Sequence, residues 1–367
     1  MQKIRAQSSV NRQAKQEFSG KTPNLFVGRV GYPRINVGFL STEQYDNQDN
    51  PKEWVEKNRG IQEIIDYRTQ LINSTTKATI TSFKEKYVQM AQEVAIASKP
   101  ADIEVELSKK PAFTLSMHQI ASPHGPNVEL KKARFTENVK IDHRIERVVQ
   151  DDLLATEQIS QLSNKVDEHE LTKMFSAGLF GRDPKLVPTR WSITAVDDTL
   201  GKQMIGEIKG YGVGEYELYM GSYLGNYYLV LCFPEGWRYE LFETIVGEKV
   251  SFSTDYESHR GRTNYAESTA GGYYAARLAI LERLKQNKKQ QGVLALRFIT
   301  DEYWAPLGVW VVREATRKAM RSQPLIFEDK QTMLKYVVAF AKKKFGMEAQ
   351  KFFSVSKMLT QPTLEQF

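Results

Sequence analysis

Between residues 215 and 243 the chain sets three β-rich runs in series, EYELYM, NYYLVLCF and WRYELFE, cut by Gly-Asn and Pro-Glu-Gly. β-branched and aromatic runs punctuated by turn formers read as strands, and three in succession suggest an antiparallel meander. A sheet of this kind must bury one face against a second layer. The chain supplies candidates immediately. A helical pattern starts near Ser268 and runs through YYAARLAILERLKQ, VLALRFI reads as a buried strand, and GVWVVREATRKAMR and QTMLKYVVAFAKKKF read as two more helices.

The first half uses the same ingredients. LFVGRVGYPRINVGFL suggests two short strands joined at Gly31-Tyr32-Pro33, and ADIEVELSKKP a further strand. Ile61, Ile64, Ile65, Tyr67 and Leu71 recur at helical spacing, as do Tyr87, Met90, Ala91 and Val94. Helices are expected near 144–163 and 168–178. The fold class is therefore α+β, with mixed helices, a β-meander in the second half, a flexible N-terminus and a C-terminal peptide tail.

At 367 residues the chain is long enough for two domains. The expected division is a flexible polar N-terminus (1–22), two α+β domains (23–180 and 181–345) and a basic tail (346–367). Ser19-Gly20-Lys21-Thr22 imitates the end of a phosphate-binding P-loop, but Lys15 stands where the first glycine is required. No apolar run reaches the ~18 residues of a membrane span, and the basic N-terminus lacks the apolar core of a secretory signal. Cys232 is the only cysteine, which excludes an internal disulfide and any zinc site needing two thiolates. A cytoplasmic, nucleoid-associated protein is expected.

The net charge of +7 is concentrated. Between Arg313 and Lys357 eleven Lys or Arg face four acids, which accounts for the whole excess. A localised basic surface suits a polyanion, most simply nucleic acid, with Lys342, Lys343 and Lys344 at its densest point; a solvated helix face is the alternative. Arg29, Tyr32 and Arg34, in a Gly-rich turn, form a second basic and aromatic site. Arg260, Arg262, Tyr265, Tyr273, Tyr274 and Arg277 form a third, since arginine grips phosphate and tyrosine stacks on bases. With Gly271-Gly272 at a helix start, this third group suits DNA or a dinucleotide such as NAD, or it is one helix face packed into a core.

For catalysis the candidates are Arg190, Asp198 and Glu257. Asp197-Asp198 at a strand end, with Asp255 and Glu257 on one side of another strand, could hold Mg²⁺ or Mn²⁺ for phosphoryl transfer. Asp-Asp-Thr is equally a turn or helix cap. The histidines, His118, His124, His143, His169 and His259, show no metal-ligand spacing. Whether a reaction is catalysed stays open.

The chain ends Gln361-Pro362-Thr363-Leu364-Glu365-Gln366-Phe367. Gln361, Leu364 and Phe367 have the spacing of a sliding-clamp-binding peptide. One 3₁₀ turn would place Leu364 and Phe367 on one face as an apolar plug, with the Gln361 amide at its rim.

FVGRVGYPRINVG, VPTRWSITAVDD, YESHRGRTNYAESTAGGYYAARL and PLGVWVVREATRKAM resemble the archaeal Nre proteins. The terminal peptide resembles that of the NreA branch of that family, which binds the clamp PCNA. The resemblance implies a DNA-repair protein that binds DNA and is recruited to PCNA. Many Nre proteins look as if they begin with a cysteine-rich zinc knuckle; this sequence carries none, and no zinc is expected. A clamp-targeted enzyme acting on DNA or a nucleotide, as a metal-dependent nuclease or an NAD-using transferase, is the alternative.

Overall fold

The computed structural model describes residues 15–112, 115–117, 119–247 and 251–360. The chain forms two compact units, one of residues up to Leu200 with Ala305–Gly308, the other of Gly201–Trp304 with the residues from Val309 onward.

In the first unit, β1 (Glu17–Val27) and β2 (Arg34–Thr42) are followed by α1 (Pro51–Glu56), α2 (Ile61–Thr69), β3 (Ile72–Thr79), α3 (Lys86–Ile96), β4 (Ala101–Leu107) and β5 (Asn127–Phe135). The five strands close into a barrel in the order β1-β2-β3-β5-β4. β3 and β5 run parallel and the other pairs antiparallel. The alternation of β4 explains its place: Ala101, Ile103, Val105 and Leu107 are buried, while Asp102, Glu104 and Glu106 face outward. Leu25, Val27, Ile35, Val37 and Phe39 join them in the interior, and Val88, Ala91 and Val94 of α3 pack against the same core.

The turn between β1 and β2 falls at the expected Gly31-Tyr32-Pro33. Gly31 takes φ +85, and a Cβ there would lie 2.8 Å from the Arg34 carbonyl oxygen. That conformation and closeness call for glycine. The expectation that residues through 22 are mobile fails from Glu17 onward. Glu17–Thr22 pair with β4, and Lys21 bonds Asp102 at 3.0 Å. The imitation P-loop is therefore strand.

Four helices follow: α4 (His143–Val149), α5 (Ala155–Leu162), α6 (Glu168–Ser176) and α7 (Thr189–Ile208). The single helix expected at 144–163 is two. Gln158 explains the break, donating to the carbonyls of Val148, Val149 and Asp151 and so satisfying the end of α4. The Glu157 carboxylate accepts from the Leu154 N–H at 2.8 Å and starts α5.

The second unit contains β6 (Gly212–Val213), β7 (Tyr216–Tyr223), β8 (Asn226–Phe233), β9 (Arg238–Ile245), β10 (Phe252–Glu257), α8 (Ala270–Asn287), β11 (Lys289–Gln290), β12 (Gly292–Ile299), α9 (Trp310–Arg321), β13 (Leu325–Phe327), α10 (Lys330–Phe345), α11 (Gln350–Val355) and α12 (Lys357–Thr360). Its main sheet has the order β10-β9-β12-β8-β7-β13. The α+β class is as expected, but the three β-rich runs are not consecutive neighbours. β7 and β8 form a hairpin, whereas β12 inserts between β8 and β9 and runs parallel to β9. The run VLALRFI has the reason in it: β12 is buried from Gly292 to Phe298, as a strand covered on both faces must be.

One face of this sheet carries Leu218, Leu229, Leu231, Phe242, Leu294, Leu296 and Phe298, packed by Met333 and Val337 of α10, Phe352 of α11 and Met358 of α12. Residues 346–360, expected as part of a basic tail, are thus folded onto the sheet. Glu240 of β9 anchors them. Its buried carboxylate accepts from Ser356 Oγ at 2.5 Å and from the N–H groups of Lys357 and Met358 at 3.1 and 3.0 Å. Gln361, Leu364 and Phe367 lie outside the described residues.

Candidate nucleic-acid interface

Two of the catalytic candidates sit on α7, so the acidic pair is not at a strand end. Arg190 and Asp198 are eight residues apart on that helix, about 12 Å along its axis. Asp197 is buried and Asp198 half-buried; successive helix residues point in different directions and do not form a shared carboxylate site. Among the described residues no three His, Cys, Asp or Glu side chains group so as to hold a metal ion.

Glu257 is enclosed. It pairs with Arg277 at 2.7 Å, and both side chains are wholly buried. Its other carboxylate oxygen accepts from Trp237 Nε1 at 2.9 Å. Asp255, two residues earlier on β10, accepts from the Thr269 N–H at 2.7 Å, from Thr269 Oγ1 at 2.9 Å and from Arg262 at 2.8 Å. The two acids share one side of the strand, as their spacing required. They hold α8 and its leading loop to the sheet, and neither presents a carboxylate to solvent.

The same packing divides the third basic and aromatic group. Tyr273, Tyr274 and Arg277 are buried, with the Arg277 guanidinium 5.5 and 5.4 Å from the two ring centres. Burial pushes the Tyr273 phenol well above its ordinary pKa. Gly201 leaves room for the guanidinium, since a Cβ there would approach Arg277 to 3.1 Å. Arg262 is held by Asp255 and by the carbonyls of Tyr256, Asn264 and Tyr265. Tyr273, Tyr274 and Arg277 are therefore core, which corrects their reading as a DNA or NAD pocket. Arg260 and Tyr265 are exposed in the loop above, Tyr265 stacked on Tyr274 at 5.6 Å.

The lysines are where the charge pattern put them. Lys342, Lys343 and Lys344 are exposed in the last turn of α10, near the partial negative end of its dipole. Lys344 lies 5.2 Å from the Tyr227 ring centre. Lys342 reaches Glu348 only at 4.0 Å, so this cluster keeps most of its positive field available to solvent.

In the first unit, Arg29, Tyr32 and Arg34 are exposed at the β1–β2 turn. Tyr32 meets Trp191 of α7 with ring centres 5.5 Å apart, and the two residues are 49% and 45% exposed. Trp191 was legible only as an aromatic near Arg190, because its partner lies far away in sequence. Another group had no local signal. Asp49 is buried between Arg68, His169 Nε2 at 2.8 Å and Asn24 Nδ2 at 2.6 Å. Cys232 is buried, as expected of a cysteine in an apolar strand, and burial raises its thiol pKa.

The profile of the archaeal Nre N-terminal region matches residues 1–250, and that of the archaeal Nre C-terminal region matches residues 257–367. The chain belongs to the archaeal Nre family. It is 33% identical to DNA repair protein NreA of Haloferax volcanii over 83% of this chain and 78% of that protein. It is 36% identical to DNA repair protein NreA of Archaeoglobus fulgidus, over 83% and 80%. With DNA repair protein NreB of Archaeoglobus fulgidus the identity is 33%, over 92% and 88%. No solved structure matches this chain. The first Nre region ends at residue 250 and the second begins at Glu257, the last residue of β10, which pairs with β9 in one sheet; this division differs from that into compact units. Among the described residues no helix of this Nre protein is long and apolar enough to cross a membrane.

Proposed function

We propose that this Nre protein acts in DNA repair, binds DNA, and is recruited to the sliding clamp PCNA by its C-terminal peptide. The observation that carries the repair role is identity of 33–36% over most of the chain to proteins named for DNA repair. Exposed lysines on α10 and exposed Arg29 and Arg34 support contact with a polyanion. Gln361, Leu364 and Phe367 support the clamp contact by their spacing.

Size-exclusion chromatography of the chain with its cognate clamp, with and without Leu364→Ala and Phe367→Ala together, tests the recruitment. Co-elution of the parent and separate elution of the variant, at equal melting temperatures, is the expected result. Co-elution of both would remove the peptide from the account. The same preparation, titrated into labelled DNA, tests the binding; a chain with no affinity for DNA of any form would refute that part.

A further inference from the structure

We propose that the first unit's barrel is a single-stranded DNA-binding module, with Tyr32 and Trp191 as the base-stacking platform and Arg29, Arg34 and Lys77 as the backbone contacts. This deepens the DNA-binding part of the function proposed above and rests on it.

Topology is the first ground. The order β1-β2-β3-β5-β4, closed by β1 against β4, with β3 parallel to β5 and helix α3 between β3 and β4, is the connectivity of the oligonucleotide-binding Greek-key barrel. Barrels of that kind take oligonucleotides across the β2–β3 face and between the loops β1–β2 and β4–β5. Fold alone does not establish function, so the residues on that face must carry the assignment.

They carry it in two ways. Register places Asn36 of β2 opposite Lys77 of β3, and Arg34 opposite Thr79; all four are exposed. Residues 28–42 and 72–79 contain no acid at all. Among the described residues, Arg29, Arg34 and Lys77 have no side-chain hydrogen bond or ion pair. The other side of the barrel differs. There the outward acids of β4 are matched strand by strand: Asp102 by Lys21 at 3.0 Å, Glu104 by Arg134 at 2.6 Å, and Glu106 by Lys131. The β4 acids are thus neutralised within the barrel, and the β2–β3 strands keep three cations for a ligand that supplies the anions, with the exposed Glu129 of β5 beside Thr75 at their border.

The aromatics decide between strands and duplex. Tyr32 and Trp191 are each exposed residues at the edge of this cationic face. Lower on the same outward side, Phe26 stands opposite Gly38 and meets His124, from the β4–β5 connection, at 4.8 Å. A ring stacks only on a base whose own face is free, which holds in a single strand and not inside a duplex.

The test uses the full chain and a fluorescein-labelled oligothymidylate, followed by anisotropy, with intrinsic tryptophan fluorescence as a second readout. Tyr32→Ala and Trp191→Ala should each weaken binding by about tenfold or more, while Tyr32→Phe and Trp191→Phe keep it. Arg29→Ala with Arg34→Ala should weaken it and lower its salt dependence. Lys131→Ala, on the neutralised face, should change nothing, and unchanged melting temperatures show that the variants fold. Parent-like binding by the Ala variants, in a chain that binds DNA, would overturn this assignment and leave the general DNA-binding reading standing. A clear preference for duplex, or for oligouridylate over oligothymidylate, would overturn it equally. Absence of binding to any DNA by the parent chain would refute both.

Discussion

Glu257 and Arg277 meet at 2.7 Å with neither side chain reaching solvent, and Trp237 Nε1 closes the remaining oxygen of the carboxylate. Two residues whose types suggest phosphate and metal chemistry are instead a buried tie between β10 and α8. A buried pair need not be worth more than apolar packing, but removing one partner strands the other charge in the interior.

Glu257→Ala should therefore lower the unfolding free energy by about 3–5 kcal/mol, read by urea denaturation. Glu257→Ala with Arg277→Met should lower it less than Glu257→Ala alone. A Glu257→Ala chain as stable as the parent would return this residue to the catalytic candidates.

Glu240 makes a second prediction. Its carboxylate accepts from Ser356 Oγ and two backbone N–H groups at the start of α12, all buried or half-buried. Glu240→Ala leaves those donors without their acceptor, at a cost of about 1–3 kcal/mol. Hydrogen exchange at Lys357 and Met358 should accelerate well beyond that in β8. Uniform acceleration across the unit would mean that Glu240 supports the whole sheet rather than this segment.

The Asp49 cluster predicts a pH dependence. Burial alone would raise the Asp49 pKa, but His169 and Arg68 beside it outweigh burial and hold it below the usual carboxylate range. Burial opposes the His169 cation, and Asp49 outweighs that to raise its pKa. A depressed Asp49 stabilises the fold above its unfolded pKa, and that contribution is lost as pH falls through the folded value. A raised His169 stabilises it fully below about pH 6.5, and that contribution is lost as pH rises through the folded value. Denaturation from about pH 5.5 upward should show this part of the stability declining above about pH 6.5 in the parent and absent in His169→Gln. Identical pH profiles would sink the prediction.

The lysines of α10 make the last. Replacing Lys342, Lys343 and Lys344 with Ala should reduce DNA affinity alike for unrelated sequences. The slope of log affinity against log salt should become shallower by up to about 0.9 for each lost phosphate contact on duplex. The melting temperature should barely move, because all three side chains are exposed. An unchanged salt slope would assign them to a solvated helix face.

Much of the architecture was legible locally. The alternation in ADIEVEL places β4 and its outward acids, the Gly31-Tyr32-Pro33 turn joins the first hairpin, and the helical spacing of α8, α9 and α10 places them within a few residues. The β-rich runs were legible as strands but their neighbours were not. β12 takes the place beside β8 that a meander would give to β9, because a strand apolar on both faces gains most from the centre of a sheet. The candidate site shows the same limit. Tyr273 and Arg277 have the residue types of a nucleotide pocket, and only their surroundings reveal that they are enclosed.

By itself, the sequence determined the α+β class, the position of the turns, the concentration of positive charge near the C-terminus and the motifs shared with Nre proteins. Those properties are local: periodicity sets which face of a helix or strand is apolar, and turn residues set where it stops. Tertiary structure alone decided which charges are buried and which face solvent. Desolvation depends on neighbours brought from distant parts of the chain, as Arg277 is to Glu257 and His169 to Asp49. The same long-range pairing sets Lys77 opposite Asn36 and leaves one side of the barrel with unmatched cations.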